Sequence, residues 1–441
     1  MLQKNNPKLL NGWAFYDWAN SVYNLVITTA IFPIYFELKA LHRSEVVDGK
    51  EIKYLTAFGR EYVNMELYSY VFSVSFIVVA LLVPLLSGIA DYSGNKKRFM
   101  QFFCYLGAAS CISLYWFDPE YIELCLLSPF FASIGFWGSL VFYNSYLPEI
   151  ATTDKQDAVS AKGFAFGYVG SIILLVGIIV ANKVFYVPIK YGFVAVGLWW
   201  AGFAQFTYAR LPNNVHDKKP DRRKGYIFKG FQELRSVFRS IKKQPKIYKF
   251  LTAFFVYNMG VQTIMLLAGV FAVEEIDWPV VDGVKDTSGL IISIIVIQLV
   301  AIVGALSLSR LSRKIGNMAV IQITIAFWMV VCAMAYFIHS PTEFYVLAAM
   351  VGFVMGGIQS MSRSTYSKMI PETTDNASYF SFFDVLEKIG LIIGPFLYGY
   401  VTGNLGGMRN AVLILGGIFI VGFILIIPVQ RAAKAEILNK N

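Results

Sequence analysis

Asp17, Asn20, Ser21, Asn24 and Thr28 recur at i, i+3, i+4, i+7 and i+11 in an otherwise apolar run, a spacing that lines five polar side chains along one face of a helix. A second apolar run carries Gln359, Arg363 and Tyr366 on one face, beside Gly356 and Gly357, which let a neighbouring backbone approach closely. A third holds Asp384, Glu387 and Lys388 within little more than one turn, ahead of Gly390, Gly394 and Pro395, where a helix can flex or kink. An arginine in such a setting needs an acceptor, either a carboxylate on another helix or an anionic group of a ligand. Asp384 and Lys388 have ion-pair spacing, which leaves Glu387 less neutralised. A carboxylate held partly out of water can take up a proton near neutral pH. The chemistry on offer is therefore recognition of a small polar ligand and carriage of a proton, with inter-helix salt bridges as the structural alternative. Asp17, Asn20, Asn24, Asn144, Gln359, Arg363 and Tyr366 are the candidate ligand-binding residues, and Asp17, Asp384 and Glu387 the candidate proton carriers.

The elements that position them are twelve apolar runs, at about 14–38, 66–90, 99–117, 121–146, 160–181, 190–209, 248–272, 287–309, 318–338, 343–369, 379–402 and 409–429. Each is long enough to cross a hydrocarbon core about 30 Å thick, and a segment in lipid must satisfy its backbone internally, so all are expected to be helices. A 56% hydrophobic, 15% charged chain of mean hydropathy +0.57 leaves little for soluble domains. Of its 38 Lys and Arg, 27 fall in the loops on the side of the termini and 9 on the other, and 14 against 4 remain when the loops 39–65 and 210–249 are set aside. This asymmetry puts both termini in the cytoplasm. The net charge of +10 then belongs to loops facing anionic lipid, and no nucleic-acid recognition motif accompanies it. Four scattered cysteines and three histidines in separate loops give no metal or redox site, and no cofactor is expected. No zinc motif, nucleophile elbow or phosphate-binding loop points to an enzyme. The first run is a full crossing without a small-residue cleavage site and serves as its own insertion signal.

The 210–247 stretch divides the chain into two six-helix bundles, 1–209 and 248–441. It begins with a polar stretch, Asp217 to Lys224, that cannot form a core. Ile227, Phe231, Leu234, Phe238 and Ile241 then recur at helical spacing among Lys229, Arg235, Arg239, Lys242 and Lys243, which predicts an amphipathic helix on the cytoplasmic membrane surface, a strap joining the halves. The halves match at Pro148-Glu149 and Pro371-Glu372 and at Gly94-Asn95 and Gly316-Asn317. Such a parallel duplication places a ligand site between the halves near mid-membrane.

The loop Ser87-Gly-Ile-Ala-Asp91-Tyr-Ser-Gly94-Asn-Lys96-Lys97-Arg98 resembles the signature loop of the major facilitator superfamily, with Ser87 where glycine is usual. The resemblance implies that Asp91, Gly94, Lys97 and Arg98 gate the cytoplasmic side, Asp91 latching the halves near a helix N-terminus. The equivalent loop of the second half, Ser309 to Asn317, carries Arg313 where that aspartate would stand. Trp13-Ala-Phe-Tyr-Asp17-Trp-Ala-Asn20-Ser21, Lys162-Gly-Phe-Ala-Phe-Gly167-Tyr-Val-Gly170 and Gly357-Ile-Gln-Ser-Met-Ser-Arg363-Ser look like the branch of the superfamily related to the autophagy-associated vacuolar effluxer of yeast, which exports amino acids from the fungal vacuole. The resemblance implies a transporter, and Asp17, Asn20, Gln359 and Arg363 match the branch's motifs; nothing further about the site carries over from it. The reading preferred here is a monomeric secondary transporter in a lipid bilayer, the cytoplasmic (inner) membrane if bacterial, working by alternating access in symport with a proton or other coupling ion. The expected cargo is an amino acid or related zwitterion, whose amino and carboxylate groups Asp17 and Arg363 are expected to bind. A sugar or peptidoglycan-derived fragment is the alternative cargo, and a non-transporting sensor with the same fold the alternative function.

Overall fold

The structure is a computed structural model that describes residues 3–47, 50–213, 226–281, 284–285, 288–404 and 407–438. α1 (Pro7–Val22) starts at Asn6, whose side chain caps it by accepting the Lys8 N–H. It continues as a π-helical stretch, Tyr23–Ala30, and restarts after Ile31 as α2 (Phe32–Lys39), with a bend of 40°. The run expected as one helix is thus three pieces. The wider π turn ends the 3.6-residue stripe after Ser21, and the Thr28 hydroxyl donates to the Asn24 backbone and side-chain oxygens at 2.5 and 2.8 Å.

The loop read as 39–65 is an antiparallel sheet of β1 (Arg43–Val47), β2 (Lys50–Ala57) and β3 (Arg60–Val63), with Tyr54 opposite both Arg43 and Val63. The all-helical expectation holds for the apolar runs and not for this loop, whose Val, Ile, Tyr and Thr content suits a pleated surface. Helices resume with α3 (Asn64–Ser93), ended by Gly94 at φ 71°, and α4 (Lys96–Ser113). Next come α5 (Ile122–Cys125), α6 (Leu127–Ser145), α7 (Leu147–Ile150), α8 (Gln156–Phe185), α9 (Lys190–Tyr208) and α10 (Tyr226–Lys243). The second half contributes α11 (Pro245–Glu275), α12 (Gly289–Ile315), α13 (Asn317–Phe337), α14 (Pro341–Met369), α15 (Asn376–Asn404) and α16 (Met408–Leu438).

Among the described residues nine helices are long and apolar enough to cross a membrane, ten if α1 and α2 form one bent span. α9 and α15 lie outside that set; α15 carries Asp384, Glu387 and Lys388. Large apolar side chains such as Leu81, Leu198, Ile292, Val303 and Ile424 are exposed, whereas Asp17, Asn20, Arg363, Asp384 and Lys388 are buried. Lipid takes the outward apolar groups, and the polar ones must find partners inside. The halves of the chain meet where α3 and α6 pack on α15 and where α8 packs on α12 and α14.

Glycines set the closest crossing. A Cβ on Gly304 of α12 would strike the Phe353 carbonyl of α14, and one on Gly356 the Ala301 carbonyl. Backbone cannot yield as a side-chain tip does, so Gly304→Leu is expected to cost about 1–3 kcal/mol or more from overpacking. Thermal unfolding of the purified variant checks this, with Gly202→Leu, where no atom lies within 4 Å of the added Cβ, as the control.

The linker helix departs from expectation. Asp217 to Lys224 and the side chains of Ile227 and Lys229 lie outside the described residues. Within α10, Gly230, Val237 and Ile241 are buried, and Phe231 and Phe238 are exposed. The helix does not lie with all its apolar residues in lipid. It is docked on α3, where a Cβ on Gly88 would meet the Gly230 carbonyl.

Candidate functional site

Arg363 lies in the last third of α14, six residues before its end at Met369, and each of its nitrogens donates to a protein oxygen. Nη1 and Nη2 both donate to Asp17 Oδ2 at 3.1 Å, Nε to Ser160 Oγ at 2.9 Å, and Nη2 to the Ser160 carbonyl at 2.8 Å. A longer contact of 3.4 Å runs from Nη1 to Asn144 Oδ1. The Tyr143 hydroxyl donates to the same Asp17 oxygen at 2.9 Å. Three rings face the guanidinium: Phe164 at 4.2 Å, Trp13 at 4.8 Å and Tyr143 at 5.5 Å to the centroids. Both charges are removed from water, with side-chain exposures of 5% and 6%, so each depends on the other and on these dipoles. The pair joins α1 to α14, one helix from each half of the chain. Gly163 makes room for it: a Cβ there would strike the Asp17 carboxylate.

Around this pair the first-helix stripe continues. Asn20 accepts the Ser21 hydroxyl at 3.3 Å, and its Nδ2 is buried without a partner among the described residues. Gln359 accepts the Tyr168 hydroxyl at 3.0 Å and directs its Nε2 at Met265 Sδ, 3.4 Å away. Asn258 on α11 likewise holds a buried Nδ2 without a partner among the described residues.

A second charged node lies on α15. The Lys388 ammonium is fully buried, 3.0 Å from Asp384 Oδ1 and 3.5 Å from Glu387 Oε2, and rests 3.4 Å from the Trp137 ring centroid on α6. Gln262 Nε2 donates to Glu387 Oε1 at 2.6 Å. The i,i+4 pair expected from spacing is present, and Glu387 stands further from Lys388 and accepts from Gln262 as well.

At one end of the bundle the halves are latched twice. The Asp91 carboxylate accepts the Ala377 and Ser378 N–H groups at 3.2 and 2.7 Å, in the first turn of α15, where unpaired amides and the helix dipole favour an anion. Beside it Lys96 pairs with Glu149, which accepts the Asn376 amide at 2.8 Å. The second latch has the opposite polarity. Asp157, in the first turn of α8, accepts from Asn317 Nδ2 at 2.8 Å, Ser312 Oγ at 3.1 Å and Lys368 Nζ at 2.5 Å. The second signature loop thus supplies donors where the first supplies a carboxylate, and Arg313 is exposed.

The structure brings together Asp17, Asn144 and Arg363, and separately Asp384 and Glu387. It does not bring Tyr366 to them: its hydroxyl donates to the Tyr379 carbonyl at 2.7 Å and its ring stacks on Phe383, a packing position that helical spacing cannot distinguish from a lining one. Asn24 is turned to Thr28 by the π stretch. Of the expected gate residues, Gly94 turns the chain and Lys97 donates to the Leu211 carbonyl at 2.9 Å, while Arg98 is exposed and Lys96 is the cation that bridges. No sequence motif points to Ser160, Phe164, Asp157 or Lys368, and Lys96 and Glu149 enter only as part of the signature loop and of the match between halves. An acid three residues ahead of the fifth apolar run, where the first turn of a helix would fall, was the available signal for Asp157.

The family described as "Vacuole effluxer Atg22 like" matches residues 5–436. The "Uncharacterized MFS-type transporter YxiO" of Bacillus subtilis is 29% identical, covering 99% of this chain and 98% of its own length. "Autophagy-related protein 22" of Pichia angusta is 25% identical over 81% of this chain and 74% of its own. Among solved structures, the human organic anion transporter MFSD10 superposes with a TM-score of 0.70 at 12% identity, covering 96% of this chain and all of its own, and the Escherichia coli fucose:proton symporter FucP with 0.63 at 16% identity, covering 95% and 97%. The fold is that of the major facilitator superfamily, and the chain belongs to its Atg22-like family: it is an integral multi-pass membrane protein, a secondary transporter of a small molecule and not an enzyme.

Proposed function

We propose that this transporter moves an amino acid or a related zwitterion by alternating access, with the Asp17–Arg363 pair as the centre of its site. The observation that carries the reading is that pair itself: two opposite charges, buried, ringed by aromatic faces and shared between the two halves of the chain. A zwitterion offers the same two charges with reversed connectivity, its ammonium for Asp17 and its carboxylate for Arg363, so it can replace the internal pair without leaving either charge unpaired. Asn144, which approaches Arg363, and Asn20 and Gln359, which hold polar contacts on α1 and α14, are assigned to the same site in this reading. In this reading residues 1–209 and 248–441 are two six-helix bundles that rock about the site, 210–247 joins them, and the latch end faces the cytoplasm with both termini, giving twelve crossings of the cytoplasmic membrane by a monomer.

Asp384 and Glu387 are the coupling groups, with a proton as the coupling ion. Glu387→Gln is then expected to abolish accumulation driven by a pH gradient and to leave counterflow of the same solute intact; equal accumulation by variant and parent removes the coupling role. The test of the reading as a whole is uptake and counterflow in proteoliposomes over amino acids, sugars and peptides. Saturable transport of sugars with none of amino acids overturns it, as does ligand binding without translocation.

A further inference from the structure

α10 has two faces with different work to do. Gly230, Leu234, Val237 and Ile241 turn to the protein, and Phe228, Phe231, Arg235, Phe238, Arg239 and Lys242 share a second arc, roughly 100° wide at 100° per residue and centred about 120° round the helix from the first. Those three phenylalanines are 68%, 57% and 44% exposed. Lys242 lies over the Phe238 ring at 4.6 Å, which fixes the two on one side of the helix. Aromatic and basic residues in one stripe are the composition of a surface seated among anionic headgroups, rings at the acyl boundary and cations outward.

The level of α10 agrees. Gly230 packs on Leu85 and Ile89 of α3, and a turn further along that apolar span Leu81 is 74% exposed, so the helix crosses α3 where hydrocarbon gives way to headgroups. It also touches the other half of the chain: the Tyr379 hydroxyl donates to Ser240 at 2.9 Å, and Phe238 stacks on Phe382 at 5.7 Å. Tyr379 adjoins Ser378, whose N–H is held by Asp91.

We propose that the outer face of α10 binds anionic phospholipid, and that seating it there clasps α3 and α15 together and holds the Asp91 latch shut. The inference rests on the membrane character of the chain and needs no particular substrate.

The test uses the full chain in vesicles of phosphatidylcholine with and without phosphatidylglycerol. An environment-sensitive fluorophore is placed at Phe228→Cys, an exposed position on that arc, in a Cys125→Ser background. Phosphatidylglycerol is expected to shift its emission to the blue, high salt to reverse the shift, and Arg235→Gln/Arg239→Gln/Lys242→Gln to lower the seated fraction about a hundredfold, each charge contributing about fivefold. In the same vesicles, hydrogen exchange of the 376–382 segment is expected to slow with phosphatidylglycerol in the parent and not in the triple variant. Emission that ignores lipid charge overturns the binding surface, and exchange that ignores it overturns the clasp. Both readouts are independent of transport, so a failed uptake assay with both lipid effects present strikes the substrate reading alone.

Discussion

Arg363→Gln is expected to abolish transport and to lower stability by about 3–5 kcal/mol, because it leaves the Asp17 carboxylate buried at 6% side-chain exposure with its cation gone. Asp17→Asn should do the converse damage, stranding a guanidinium whose remaining partners are Ser160 and Asn144. The double variant Asp17→Asn/Arg363→Gln removes both charges at once, and amides can bond one another, so much of the lost stability should return. Transport should not return, since neither charge remains to receive a zwitterion. Thermal unfolding of the three purified variants, read beside proteoliposome uptake, separates the roles. Unchanged transport by both single variants would remove the pair from the site, and a double variant no more stable than the singles would show that the two charges do not depend on each other.

Asp91→Ala and Asp157→Ala are each expected to shift the balance toward opening of the latch end by about tenfold or more. A hydrogen bond to a charged group contributes about 1.5–3 kcal/mol, and each carboxylate holds at least two. The latches join different helices, Asp91 to α15 and Asp157 to α12, α13 and α14, so their effects should add in the double variant to about a hundredfold. Ser378→Cys is a suitable reporter: the serine is fully buried, and its N–H is held by Asp91 at the latch. Its alkylation by a polar maleimide should quicken in each single variant and most in the double. If Asp157→Ala leaves the rate as in the parent, the second latch carries no weight. Lys368→Met, which takes away one of the donors to Asp157, should give a smaller effect of the same sign.

The reasons for what was legible differ residue by residue. Asp17 and Arg363 could be singled out because an ionisable group in an apolar helix is costly enough to demand a partner, whatever the fold. That they partner each other, across 346 positions of chain, depends on α1 and α14 meeting. Tyr366 shows the limit of helical spacing: it shares a nominal face with Arg363, yet its hydroxyl meets the Tyr379 carbonyl and its ring meets Phe383. Asn24 shows another limit, because the helix that should have carried it onward widens into a π turn that apolar periodicity does not register. The inverted second latch was hidden for a simpler reason: a motif records one side of a contact, and here the carboxylate had moved to the other side, from the signature loop to the first turn of α8.

The amino-acid sequence by itself determined that this chain lives in a membrane, where its long apolar runs are, and which ionisable groups must be kept from lipid, since each follows from the local cost of exposing backbone or charge to hydrocarbon. The tertiary structure decided which of those groups meet. Packing of α8 against α1 and α14 through Gly163 set Asp17 opposite Arg363, crossing of α3 and α15 set Asp91 at an open helix start, and docking of α10 turned its rings outward. These depend on contacts between segments far apart in the chain, whose geometry no local pattern specifies.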